Sequence, residues 1–165
     1  MPRDSAAAAA LAGRHDQRLQ GRAFTETDVL RPLRHAIEIR HPSFITSEFI
    51  DLLRAHDVAL VCADAVTWPR LMDVTADFVY CRLHGSEVLY SSGYDEAALD
   101  FWADRVTAWA AGGEPVDAAR VIDAPAPRLP GRDVFVFFDN DAKVRAPFDA
   151  GGLARRVKAR SAGSA

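Results

Sequence analysis

The stretch "VALVCAD", residues 58–64, constrains the fold more than any other feature of the chain. It is apolar at every position until it ends on Asp64. A strand with one wet face alternates apolar and polar residues, whereas a strand buried on both faces need not. Strands of the second kind belong to parallel sheets covered by helices. Two other runs behave similarly: "FVYCRLHG" from residue 78 and "DVFVFFDND" at 133–141. A shorter strand is expected near residues 34–40, where Ile37 and Ile39 share one face and Glu38 and Arg40 the other.

Amphipathic segments separate these strands. "SEFIDLLRAHD" predicts a helix capped by Ser47, with Phe49, Leu52 and Leu53 as its buried stripe. Residues 95–111 predict the clearest helix, with Asp95 as cap and Leu99, Trp102, Val106 and Trp109 at helical spacing. The Gly/Pro-rich stretch 112–132 is expected to be the least ordered interior segment. A last helix follows Pro147, carries Phe148, Leu153 and Val157, and is weakened by Gly151 and Gly152. Strands alternating with helices predict an α/β fold with a parallel sheet, either doubly wound or part of a βα barrel.

Composition narrows the partners. A net charge of −3 over 165 residues gives no electrostatic footprint for nucleic acid or a membrane surface. No apolar run approaches the roughly 18 residues a membrane span needs. The start, "MPRDSAAAAALAGRHDQRL", reads as an Ala-rich helix capped by Asp4 or Ser5 rather than a secretion signal. Cys62 and Cys81 sit inside apolar strands and read as reduced, buried thiols, so a cytoplasmic protein is expected.

Each predicted strand leaves polar residues at its C-terminal end: Glu38, Arg40 and His41; Asp64; Arg82 and His84; Asp139, Asn140 and Asp141. In parallel α/β folds these ends share one edge, and ligands bind there. Arg40 and Arg82 on otherwise buried faces need carboxylates, which Glu38, Asp64 and Asp139 can supply. Such charges either satisfy one another structurally or line a ligand site. The planar fork of arginine also suits a carboxylate or phosphate ligand. His84 is the residue suited to proton transfer near neutral pH, with Gly85 beside it allowing close approach. No compact metal-binding motif and no phosphate-cradling Gly-rich loop occurs, so no metal and no cofactor are expected.

Five segments, "EIRHPSF", "VALVCAD", "FVYCRLHG", "SGYDEAALDFWADRV" and "VFVFFDNDAKVRAPFDA", occur in this order. Together they resemble the second half of the YecE-like family, known as domain of unknown function 72. The resemblance covers residues from about 5 to 158 and implies a TIM-barrel-like fold in a largely uncharacterised bacterial protein. The signature positions fall on Glu38, Arg40, Ser43, Asp64, Tyr80, Arg82, His84, Gly85, Tyr94 and Asn140. Phe44 stands where the family usually has Trp.

A full βα barrel needs roughly 250 residues and eight strands, whereas four are legible here. The fold expected is therefore a partial TIM-barrel-like α/β fold, about four parallel βα units from the C-terminal half of a barrel. In that reading residues 1–33 form a helix and connection, 34–158 the four units of a single incomplete domain, and 159–165 a disordered tail. The chain is then a fragment, a remnant, or a half barrel that must replace its missing wall. An enzyme-like pocket would use His84, oriented by Glu38 or Asp64, for proton transfer. Arg40, Arg82, Tyr80, Tyr94, Asp139 and Asn140 would then bind a small anionic molecule. The alternative is a non-catalytic module with structural ion pairs. Two open sheet edges also predict a homodimer.

Overall fold

The computed structural model describes residues 1–85, 93–140 and 144–163. Its elements run α1 (Ser5–Ala12), β1 (His35–Ile37), α2 (Ser47–Ala55), β2 (Val58–Asp64), β3 (Phe78–Leu83), α3 (Glu96–Ala110), β4 (Asp133–Phe138) and α4 (Ala146–Ala162). The strands form one sheet in the order β1-β2-β3-β4, parallel and alternating with helices. Cys62 lies opposite Cys81 across β2 and β3, and Cys81 opposite Val136 across β3 and β4. Asp141 lies outside the described residues.

Chain packing divides the molecule into two units, Met1–His35 and Ala36–Ala165. In the first, Asp4 caps α1 by accepting from the amide of Ala7 at 2.7 Å. The amide of Leu33 donates to the carbonyl of Arg3, so the connection returns alongside the start of the helix.

The second unit holds the sheet. Val79, Cys81 and Leu83 of β3 face a core built with Leu99, Trp102, Val106 and Trp109 of α3 and Leu153 of α4. Burying side chains of this size contributes roughly 1.5–3 kcal/mol each, enough to fix the face that β3 turns to the helices. Ile39, Ile50, Leu53, Val58 and Leu60 form a smaller cluster under α2. The opposite face of β3 carries Phe78, Tyr80 and Arg82, and the register sets Phe135 beside Tyr80 and Phe137 beside Arg82. Tyr80 and Phe137 stack with centroids 4.9 Å apart. Gly152 lets α4 approach α3, because a Cβ there would meet the Leu99 methyl at 2.9 Å.

Several local expectations change. Thr46, not Ser47, caps α2, its hydroxyl accepting from the amide of Phe49. The helix buries Ile50 and Leu53 and turns Leu52 to solvent. Phe148 is exposed, leaving Leu153 and Val157 to dock α4. α4 itself continues to Ala162, through residues read from sequence as a frayed tail. Arg156 and Arg160 hold its outer face to Glu96, Asp100 and Asp104 of α3.

Segment 112–132 is anchored rather than loose. The buried Asp73 accepts from the amides of Val121 and Ile122, and Glu114 accepts from those of Val74 and Ala126. Composition registers the glycines and prolines of such a loop but not carboxylates that reach its amides from elsewhere. Among the described residues no helix is long and apolar enough to cross a membrane.

Candidate functional site

The strands end level with one another. Asp64 pairs with Leu83, and Leu83 with Phe138. The ladder continues one step further: the amide of His84 donates to the carbonyl of Asp64 at 2.9 Å, and that of Asp139 to Leu83 at 2.8 Å. His84 and Asp139 therefore rise together just past the sheet. Alternation places Arg82 and His84 on the same side. Ala63, opposite Arg82 in the register, is too small to fill the space its guanidinium crosses.

Five expected residues form one charged group. Arg82 donates from Nη1 to Oε2 of Glu38 at 2.9 Å and from Nη2 to Oδ2 of Asp139. Arg40 donates from Nε to Oε1 of Glu38 at 2.9 Å, with Nη2 2.8 Å from the same oxygen. The side chain of His84 is 0% exposed, with Nε2 3.3 Å from Glu38 Oε2 and Nδ1 3.3 Å from Asp139 Oδ2. A neutral imidazole carries one N–H and can donate to only one of these carboxylates; an imidazolium donates to both.

The electrostatics agree with that geometry. Burial by itself would raise the carboxyl of Glu38, but Arg40, Arg82 and His84 together hold it below the usual glutamate range. Burial also opposes the charge on Arg82, yet Glu38 and Asp139 keep it above the ordinary arginine range. Both shifts favour the same charged pair.

Asp64, Tyr94 and Asn140 belong to a neighbouring buried group. The Tyr94 hydroxyl donates to Oδ2 of Asp64 at 2.9 Å and accepts from the amide of Gly85 at 3.1 Å. Gly85 has φ +93°, a conformation that glycine adopts without strain. Asp149 accepts from Nδ2 of Asn140 at 2.7 Å and from the amide of Tyr94 at 3.1 Å. Burial and the charge of Asp64 push the Tyr94 phenol far above its ordinary range. Thus Asp64 turns to Tyr94 and Arg70 instead of orienting His84. Tyr94 and Asn140 are enclosed and stitch loops together.

Trp68, Arg70 and Asp149 are the residues that sequence reasoning passed over. Trp68 meets the His84 ring edge-on at 4.8 Å, and Arg40 lies over its face at 4.1 Å. Arg70 donates from Nη1 to Oδ1 of Asp64 at 3.0 Å. Both stand in the irregular connection after β2, where no periodicity marks an inward side chain. The one available signal was a Trp-Pro-Arg run six residues or fewer beyond a strand ending in aspartate.

Among the described residues, no group of three or more His, Cys, Asp or Glu side chains is placed to hold a metal ion. Glu38 and Asp139 address opposite nitrogens of His84, so they do not converge on one point with it.

The profile of a protein family of unknown function, DUF72, matches residues 12–164. The chain belongs to the DUF72 family. A DUF72 protein from Thermotoga maritima is 24% identical, with a TM-score of 0.58 over 77% of this chain and 47% of its own. One from Enterococcus faecalis is 17% identical, with a TM-score of 0.58 over 76% of this chain and 48% of its own. The chain therefore spans about half the length of these DUF72 structures, and at such identities the likeness concerns the fold. No curated protein matches the sequence.

Proposed function

We propose that the strand-end cluster is a pocket for a small molecule bearing a carboxylate or phosphate, with a proton-transfer chain beneath it. One observation carries this reading. Arg40 and Arg70 each rest one edge of their guanidinium on a partly or fully buried carboxylate, while their side chains remain 55% and 46% exposed. Trp68 lies under the face of Arg40 and stands two residues before Arg70 in the chain, and the Arg70 guanidinium lies over Phe101 at 5.7 Å. Two half-satisfied forks beside an aromatic plate form a clamp for a planar anionic group.

The proton-transfer role is shared. His84 is enclosed between Glu38 and Asp139, of which Asp139 is the more exposed. His84 thus acts as a positioning residue, and Asp139 is the group that meets a ligand. Arg82, spanning Glu38 and Asp139, holds that chain in line rather than binding the anion.

A second reading, a non-catalytic module with structural charges, draws support from the same enclosure of His84. Calorimetric titration with inorganic phosphate and with acetate separates the two. In the pocket reading one of these anions binds to the unaltered protein, and Arg40→Gln and Arg70→Gln each weaken it about tenfold, the worth of a charge-assisted hydrogen bond. Binding unchanged in both variants, or absent from the unaltered protein, rejects the clamp. His84→Asn then tests the relay: a pH profile of binding that stays the same in this variant rejects it.

A further inference from the structure

A second feature lies at the opposite end of the sheet, where β2, β3 and β4 begin. A cavity of about 300 Å³ is bounded there by Arg54, Val74, Ala76, Pro127, Leu129 and Arg132. Its volume is that of a small-molecule site, at the lower end of the usual range. Its walls are mainly apolar, yet two guanidiniums line it.

Among the described residues, those guanidiniums donate only to neutral groups. Arg54 donates from Nε to the carbonyl of Val74 at 3.2 Å and from both Nη atoms to that of Ala124 at 3.3 Å. Arg132 donates to the carbonyls of Gly113 at 2.8 Å and Pro127 at 2.5 Å. Arg132 is more than nine-tenths buried, and its Nε has no acceptor among the described residues. Carbonyls satisfy donors without cancelling charge, and an uncompensated buried charge is costly. The other deeply buried arginine, Arg105, is treated differently: its Nη2 meets Asp117 at 2.5 Å. Burial lowers Arg132 below the ordinary arginine range, and Glu114 opposes this only in part. The oxygens of Glu114 already serve Arg120 and the amides of Val74 and Ala126.

We infer that this cavity binds a small aliphatic monocarboxylate, its carboxylate toward Arg54 and Arg132 and its apolar body against Val74, Pro127 and Leu129. The single charge follows from the rim. Asp57 and Asp77 stand exposed at the same cavity, Asp57 accepting from the amide of Asp77 at 3.2 Å, and they disfavour a dianion such as phosphate. The site is separate from the strand-end pocket, and neither reading depends on the other.

Amide shifts of the whole chain, followed by NMR during titration with 4-methylpentanoate, provide the test. Saturable shifts are expected at Ala76, Asp77 and Leu129, with little response to 4-methylpentan-1-ol or inorganic phosphate. Arg54→Gln, at a half-buried position, should weaken binding about tenfold, and Ala76→Leu should abolish it by filling the cavity. If Ala76→Leu fails to fold, the Arg54 variant and the alcohol decide alone. Alcohol or phosphate binding as tightly as the carboxylate, or shifts that never localise at this cavity, would overturn the inference.

Discussion

Arg82 donates to Glu38 across 44 positions of sequence, tying β3 to the segment that follows β1. The same guanidinium holds Asp139 beyond β4. One side chain thus connects both outer strands through an inner one. Arg82→Met should cost about 2–3 kcal/mol, because it strands two carboxylates in a partly buried space; the value is at the low end for buried pairs since the group keeps some solvent. Adding Glu38→Gln should recover part of the loss. Denaturant melts of the single and double variants measure this, and strictly additive losses would show that the two residues are not coupled.

Acid sensitivity follows from Glu38. Its folded-state carboxyl lies below the usual range despite burial, because Arg40, Arg82 and His84 favour the charged form. A depressed folded value means stabilisation that is fully present above the unfolded value of about 4.3. That stabilisation is lost as pH falls through the folded value. Stability measured from pH 6 downward (on the order of two to three units, to span both values) should fall more steeply in the unaltered protein than in Glu38→Gln. Parallel curves would show that other carboxylates dominate.

Tyr94 offers a neutral counterpart. Its hydroxyl serves Asp64 and the amide of Gly85 at once, in a buried setting. Tyr94→Phe keeps the ring, which meets Phe138 edge-on at 5.6 Å, but leaves an amide and a carboxylate short of a partner. A loss of about 1–3 kcal/mol is expected. Unchanged thermal stability would mean that water replaces the hydroxyl without cost.

Much of this arrangement was legible in sequence, and the gaps have physical causes. "VALVCAD" and "FVYCRL" could be placed as strands because continuous apolar runs and period-two alternation are properties of the backbone itself. Glu38, Arg82, His84 and Asp139 could be grouped because parallel strands bring their ends to one edge. The partners of Asp64 could not, since strand position says nothing about which neighbour a carboxylate turns to. Trp68 and Arg70 lie in an irregular connection whose path depends on packing. Leu52 and Ile50 exchanged roles because apolar residues at 49, 50, 52 and 53 allow more than one stripe, and packing selects the pair Ile50 and Leu53, three residues apart on one face.

Gly151 and Gly152 make a controlled pair in α4. A Cβ at Gly151 meets nothing closer than the flexible end of Arg155 at 3.5 Å, whereas one at Gly152 meets the buried Leu99 methyl at 2.9 Å. Gly151→Ala should stabilise by roughly 0.5–1 kcal/mol, the ordinary helix-propensity gain. At Gly152 the same gain is offset by overpacking of about 1–3 kcal/mol, giving no benefit or a loss. Thermal melts of both variants check this, and equal stabilisation would show that α3 and α4 separate freely.

The last expectation concerns association. β1 and β4 end the sheet, and β4 has neither the lysine nor the mid-strand proline that commonly protects an edge. Beside that edge Phe135 and Phe137 are 38% and 47% exposed, on the face opposite the helix-covered core. The DUF72 structures that share the fold have chains about twice the span matched here. Four parallel strands do not close the eight-stranded ring of a βα barrel, but a second copy offers four more in the same sense. Pairing β4 of each copy with β1 of the other would close such a ring about a two-fold axis and cover the phenylalanines. The 165-residue chain is therefore expected to sediment as a dimer at micromolar concentration, and Phe135→Ser with Phe137→Ser to weaken that dimer. A stable, cooperatively unfolding monomer of 18.0 kDa would rule the pairing out.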